Sequence, residues 1–90
     1  MAEDLSVRFR EASEAVKNLS QAPDSETMLK LYALFKQSTV GDNTGKRPGM
    51  MDFVGKAKYD AWKELEGITP EEAMNRYIAL VDSLVAADKK

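Results

Sequence analysis

The sequence reads as an all-α protein, and three observations carry that reading. Apolar residues recur at spacings of three and four in four separate stretches, which is the period of a helix hiding one face. No run alternates apolar and polar residues with the period of two that a half-buried strand shows. Pro23, Gly67 and a glycine-rich run from Gly41 to Met51 fall between the four stretches, where chain reversals belong. Four amphipathic helices can bury their apolar faces only against one another, so the expected architecture is a four-helix bundle.

The first helix is set out by Leu5, Phe9, Ala12, Val16 and Leu19, at spacings of 4, 3, 4 and 3, with Asp4 as its cap. Gln21, Ala22 and Pro23 end it. A second helix starts at Asp24 or Ser25, with Glu26 in the first turn to suit the helix dipole. Its MLKLYALF run is apolar at every position except Lys30, so this helix is buried on more than one side or lines a cavity. It fades through Ser38, Thr39 and Val40 before Gly41. The third helix begins between Asp52 and Gly55 and runs to Gly67 along Val54, Ala57, Ala61 and Leu65. The fourth opens with Thr69-Pro70-Glu71-Glu72, a capping box with proline at the first helical position. Met74, Tyr77, Ile78, Val81, Leu84 and Val85 form its stripe, and the terminal ADKK is expected to fray. The short links make helices 1 and 2, and helices 3 and 4, antiparallel neighbours. The long middle connection lets helices 2 and 3 run parallel.

Composition narrows the chemistry. The 90 residues include no cysteine and no histidine, which removes disulfides, thiolate metal sites and the commonest neutral-pH general base. A hydrophobic content of 43 % against 31 % charged residues suits a globular chain, and the charged N-terminus is no signal peptide. A soluble, cytoplasmic, non-enzymatic protein without metal or cofactor is expected. Net charge is −2, yet the segment from Lys36 to Lys63 holds six basic and three acidic residues, leaving −5 on the remainder. A basic island in an acidic chain favours a localised anionic ligand over nucleic acid. The VGDNTGKRPG run at 40–49 looks at first like a phosphate loop. Only three residues separate Gly41 from Gly45, and Arg47 stands where a hydroxyl residue is needed, so it is not one.

Tyr32 and Lys36 lie four apart on one face of helix 2, with Phe35 beside them, and Lys58 lies one turn before Trp62 on helix 3. Tyr77 places a hydroxyl inside an aliphatic stripe. Aromatic faces beside ammonium groups suit a ligand that combines a ring with phosphates. Singly, an aromatic on an amphipathic helix is usually an ordinary core residue and a lysine at a core edge usually snorkels.

The run Tyr32 to Gly41, RPGM at 47–50, Asp52-Phe53-x-Gly55-Lys56-Ala57-Lys58, Asp60-Ala61-Trp62 and Ala73-Met74-x-x-Tyr77 together resemble the acyl-CoA-binding protein family. The resemblance extends through helix 1 at Phe9, Ala12 and Lys17. It implies an up-down-down-up bundle with a long loop after helix 2, and a monomer that binds medium- and long-chain fatty acyl-CoA esters without chemistry. It further implies ligand contacts from Phe9, Ala12, Lys17, Leu29, Tyr32, Ala33, Leu34, Phe35, Lys36, Lys58 and Tyr77. Lys36 and Lys58 would meet the CoA phosphates, Tyr32 and Tyr77 would give ring and hydroxyl contacts, and the loop would be scaffold with Arg47 assisting. Met28, Leu29, Met50 or Met51 would line the acyl groove. Phe35, Tyr59 and Val54 depart from the family's frequent Tyr, Trp and Lys. Acyl-CoA-using enzymes are the implied partners; nucleic acid and stable membrane insertion are not. The competing reading is a helical protein-interaction module, supported by the broad apolar face of helix 2.

Overall fold

The computed structural model describes residues 4–88, which form four helices: α1 (Leu5–Lys17), α2 (Ser25–Thr39), α3 (Phe53–Lys63) and α4 (Pro70–Asp88). No strand occurs among the described residues. Caps explain most of the boundaries. The Asp24 carboxylate accepts from the Thr27 amide, Asp52 from the Gly55 amide, and Thr69 Oγ1 from the Glu72 amide. Glu72 does not complete the capping box; its carboxylate accepts from Arg76, one turn on. Asp4 stands at the N-cap of α1 but makes no side-chain cap bond.

Two helices are shorter than their apolar periodicity. α1 ends at Lys17, so Leu19 continues the stripe from the link rather than from the helix. α3 ends at Lys63, and the chain reaches Gly67 through tight turns closed by i to i+3 bonds such as Glu66 N to Lys63 O. Gly41 and Gly67 have φ of 95° and 92°, the left-handed region that favours glycine, and so permit the exits from α2 and from these turns. Of the terminal ADKK expected to fray, Ala87 and Asp88 are helical, and Lys89 and Lys90 lie outside the described residues. The Asp88 carboxylate accepts from both the amide and the hydroxyl of Ser20 in the α1–α2 link.

The core joins α1, α2 and α4: Phe9 and Ala12, Leu31 and Leu34, and Ala73, Tyr77, Ile78 and Val81. α3 buries no residue, and Val54, placed on its expected apolar stripe, is 66 % exposed. The packing order also departs from the sequence expectation. α4 packs against α1 and α2, and α3 packs on α2, whereas the sequence-adjacent pairs α1–α2 and α3–α4 make no close backbone contact. Short links bring helix ends together; they do not force the rods to lie side by side.

Residue pairings give the directions. Phe9 meets Tyr77 and Ser20 meets Asp88, so α1 and α4 are parallel. Tyr32 lies by Lys58 and Lys36 by Trp62, so α2 and α3 are parallel. Phe35 meets Tyr77 while Gln37 reaches back to Ile68, so α2 opposes α4. This is the up-down-down-up bundle. It is flattened, with a thinnest extent of 15 Å and a radius of gyration of 13.8 Å, against about 12 Å expected for a compact chain of this length. The flattening leaves hollows beside α2.

Candidate functional site

α3 owes its position to polar groups rather than to buried apolar ones. Gln37, 1 % exposed, donates to Ile68 O at 2.7 Å and to Asp42 Oδ1 at 2.9 Å, and accepts from Trp62 Nε1 at 3.1 Å. The same indole N–H reaches Gly41 O at 2.8 Å, and Asp42 Oδ1 also accepts from the Gly67 amide. Along the loop, buried Asn43 donates to Tyr59 O, Tyr59 Oη donates to Gly45 O, and Arg47 holds Asp60 through two parallel bonds of 3.0 and 2.9 Å. These bonds hold the carboxyl groups of Asp42 and Asp60 below the usual carboxylate range, through the Gly67 amide in the first case and the Arg47 guanidinium in the second. The loop is therefore scaffold, as expected, and Arg47 spends its charge on Asp60.

This seam fixes Lys58 opposite α2. Its Nζ lies 5.2 Å from the centre of the Tyr32 ring, and Lys36 Nζ lies 5.8 Å from the same ring and 5.8 Å from that of Trp62. Among the described residues, neither ammonium group has an ion-pair or hydrogen-bond partner. Two cations thus converge on one aromatic ring with their charge still available.

Apolar hollows open on both sides of that ring. A cleft of about 610 Å³ between α1 and α2 is walled by Val16, Leu19, Pro23, Met28, Phe35 and Tyr77, with Lys17, Tyr32 and Lys36 at its edges. A second hollow of about 540 Å³ between α2 and α3 is walled by Leu29, Phe53, Val54 and Ala57, with Lys58 at its edge. Pro23, Met28 and Tyr32 belong to both. At the inner end of the cleft, Phe9 stacks on Phe35 at 5.4 Å between centroids and meets Tyr77 at 4.9 Å. Tyr77 is 4 % exposed, and burial raises the pKa of its hydroxyl, which finds no hydrogen-bond partner among the described residues.

Of the residues expected to contact a ligand, Lys17, Leu29, Tyr32, Phe35, Lys36, Lys58 and Tyr77 line the two hollows, and Phe9 backs them. Ala12, Ala33 and Leu34 do not. Ala12 is buried toward Ile78 on α4, while Ala33 and Leu34 turn toward Ala61 and Leu65 on the opposite side of α2. The helix itself requires this: with about 100° per residue, a face that presents Tyr32, Phe35 and Lys36 must carry Ala33 and Leu34 around the back. Met28 and Leu29 line the walls of these hollows, whereas Met50 and Met51 line neither. Sequence reasoning missed Val16, Leu19, Ala22 and Pro23. The first two sat on the α1 stripe and looked like core; the latter two looked only like a helix stop.

An apolar trough ending in paired free cations, on a flattened four-helix bundle, defines a receptor for an anionic amphiphile. Comparison with known proteins agrees. Residues 6–81 match the model of the family described as acyl CoA binding protein. The chain is 49 % identical over 82 residues to acyl-CoA-binding protein homolog 1 of Caenorhabditis elegans, covering 91 % of this chain and 95 % of that one. It superposes on the crystal structure of Oryza sativa acyl-CoA-binding protein 2 with a TM-score of 0.91 at 41 % identity, covering 96 % of each chain. With the acyl-CoA-binding protein of Moniliophthora perniciosa the TM-score is 0.88 at 37 % identity, covering 100 % of this chain and 86 % of that one. The chain belongs to the acyl-CoA-binding protein family.

Proposed function

We propose that the whole chain acts as one acyl-CoA-binding unit, taking up a medium- or long-chain fatty acyl-CoA ester non-covalently and carrying it as a protected pool. The observation that supports this most strongly is the convergence of Lys36 and Lys58 on Tyr32, where the two apolar hollows meet. CoA phosphates need cations with no other partner; the acyl chain needs a dry wall. Charge-assisted bonds from the two lysines hold the head, and the Tyr32 and Trp62 rings keep those ammonium groups in place. Each methylene removed from water contributes about 0.8 kcal/mol, so two further carbons strengthen binding by roughly an order of magnitude until the wall is covered.

The chain supplies no histidine or cysteine for acid–base or nucleophilic work, which favours a binder over an enzyme. The broad apolar face of α2 had suggested a protein-binding module. That face is accounted for by the core on one side and the hollows on the other, so it gives such a module no separate support. Titration calorimetry is the test. Palmitoyl-CoA should bind one-to-one and at least a hundredfold more tightly than either CoA or palmitate. Equal affinity for CoA and palmitoyl-CoA would remove the acyl half of the reading.

A further inference from the structure

The thioethers of the chain stand in three different settings. Of the five methionines, Met28, Met50, Met51 and Met74 lie among the described residues. Met74 is half-buried against the core. Met50 and Met51 are 81 and 89 % exposed and line neither hollow. Met28 belongs with neither. It is 51 % exposed, yet it borders the α1–α2 cleft and the α2–α3 hollow at once, one turn before Tyr32 on the same face of α2. Its apolar neighbours are Leu19, Pro23 and Phe35 in the cleft and Leu29, Phe53 and Ala57 in the hollow. Hydrocarbon laid along either wall covers this thioether; a bare wall leaves it open to water and to whatever water carries.

We propose, resting on the carrier reading, that Met28 is an oxidation site: peroxide acting on it weakens acyl uptake, and a bound acyl chain shields it from peroxide. A sulfur lone pair attacks one oxygen of hydrogen peroxide, and the O–O bond breaks. The transferred oxygen stays on sulfur, its proton passes to the departing hydroxide, and water leaves. The thioether has then lost two electrons and the peroxide has gained them. A flexible apolar side chain becomes a polar sulfoxide. While the wall is bare, the half-exposed position lets water solvate the new oxygen, so the fold bears little of the cost. Under an acyl chain the same oxygen faces hydrocarbon and gives up that water, so the cost falls on binding. Coverage acts in the other direction as well, because oxidation of a thioether follows its exposure. Met50 and Met51 lie outside both hollows and stay open whether or not the site is filled.

Hydrogen peroxide treatment, followed by mass-spectrometric mapping of sulfoxides and by calorimetry, tests this. Oxidised wild-type protein should bind palmitoyl-CoA roughly tenfold more weakly than untreated protein. Methionine sulfoxide reductases for both epimers, supplied with a dithiol, should restore the affinity. Met28→Leu, compared before and after treatment, should show no such loss, and Met50→Leu combined with Met51→Leu should show the full wild-type loss. Saturating palmitoyl-CoA should slow sulfoxide formation at Met28 severalfold and leave Met50 and Met51 at their rates in the free protein. Undiminished affinity in the oxidised wild type overturns the proposal. So does an equal loss in Met28→Leu, which would move the effect to another methionine, and so does a single oxidation rate for Met28 in the free and loaded protein. Each of those results leaves the affinity of untreated protein, and with it the carrier reading, standing. Untreated protein that gives no heat with palmitoyl-CoA sinks the carrier reading itself, and the oxidation switch falls with it.

Discussion

Helix α2 meets α3 through a seam of hydrogen bonds, and it meets α1 only through the edge of an aromatic trio. On the α3 side, Gln37, Trp62, Asp42 and Asn43 satisfy one another and the backbone. On the α1 side the backbones diverge and leave a cleft that no side chain fills. A directional polar network sets a geometry to a fraction of an ångström. An unfilled apolar wall sets none and accepts chains of different length. The head of the proposed ligand meets the first kind of surface, its tail the second.

Breaking the seam should have the largest effect. Gln37→Ala removes two donors and one acceptor at a buried position, leaving Ile68 O short of its partner. A loss of about 2–4 kcal/mol in urea unfolding is expected. Acyl-CoA affinity should fall with it, because Lys58 depends on the placement of α3. A variant within experimental error of wild type would show that apolar contacts, not the seam, position that helix.

Lys36→Ala should separate site from scaffold. Loss of one charge-assisted phosphate contact weakens acyl-CoA binding by about 2 kcal/mol, roughly thirtyfold. Stability should move by no more than about 0.5 kcal/mol, because the side chain makes no hydrogen bond or ion pair to the seam and touches it only across the face of Trp62. Unfolding of the variant would make Lys36 structural and remove it from the site.

Acid should loosen the seam. Asp42 and Asp60 have folded pKa values below their unfolded ones. Their contribution is therefore present above the unfolded carboxylate range and is lost as pH falls through the folded values. Thermal midpoints measured downward from pH 5 should decline most steeply below about pH 4. Asp42→Asn should start lower and decline less. Parallel curves for the two proteins would show that Asp42 has no part in the pH dependence.

The contrast between the two sides of α2 also explains what could be read from the sequence. The stripes of α2 and α4, the Asp24 cap and the Thr69-Pro70 start were legible because they are local: period, cap and turn chemistry lie within a few residues. The expected burial of the α3 stripe is met only in part, with Val54 exposed and Ala57, Ala61 and Leu65 half-buried, because packing partners are a long-range property. A helix flanked on one side only can leave its stripe facing a hollow. Gln37 enters the sequence reading only as one member of the Tyr32 to Gly41 run, and only the convergence of residues 42, 62 and 68 makes it a hub. Lys36 and Lys58 were found by their aromatic neighbours in sequence and by the family resemblance. Their common ring, Tyr32, required coordinates.

The smallest effect concerns the cleft's outer wall. Leu19, Ala22 and Pro23 separate the α1–α2 cleft from a smaller hollow against Leu84 and Ala87, so this link is a thin partition with space on both faces. It is held to α4 by Asp88, whose carboxyl is kept below the usual range by the Ser20 hydroxyl and amide. Asp88→Ala should lower the thermal midpoint by only a few degrees, since the contact is exposed and one link is freed rather than a core. Its clearer signature should be in binding. A released partition lets the cleft widen, so affinity for short acyl-CoA esters should fall more than affinity for long ones, which keep purchase in the α2–α3 hollow. Asp88→Asn retains an acceptor for Ser20 and should recover most of the loss. An unchanged chain-length profile in Asp88→Ala would mean that the wall stands without its clasp, and that the cleft is held open by the Phe9, Phe35 and Tyr77 rings alone.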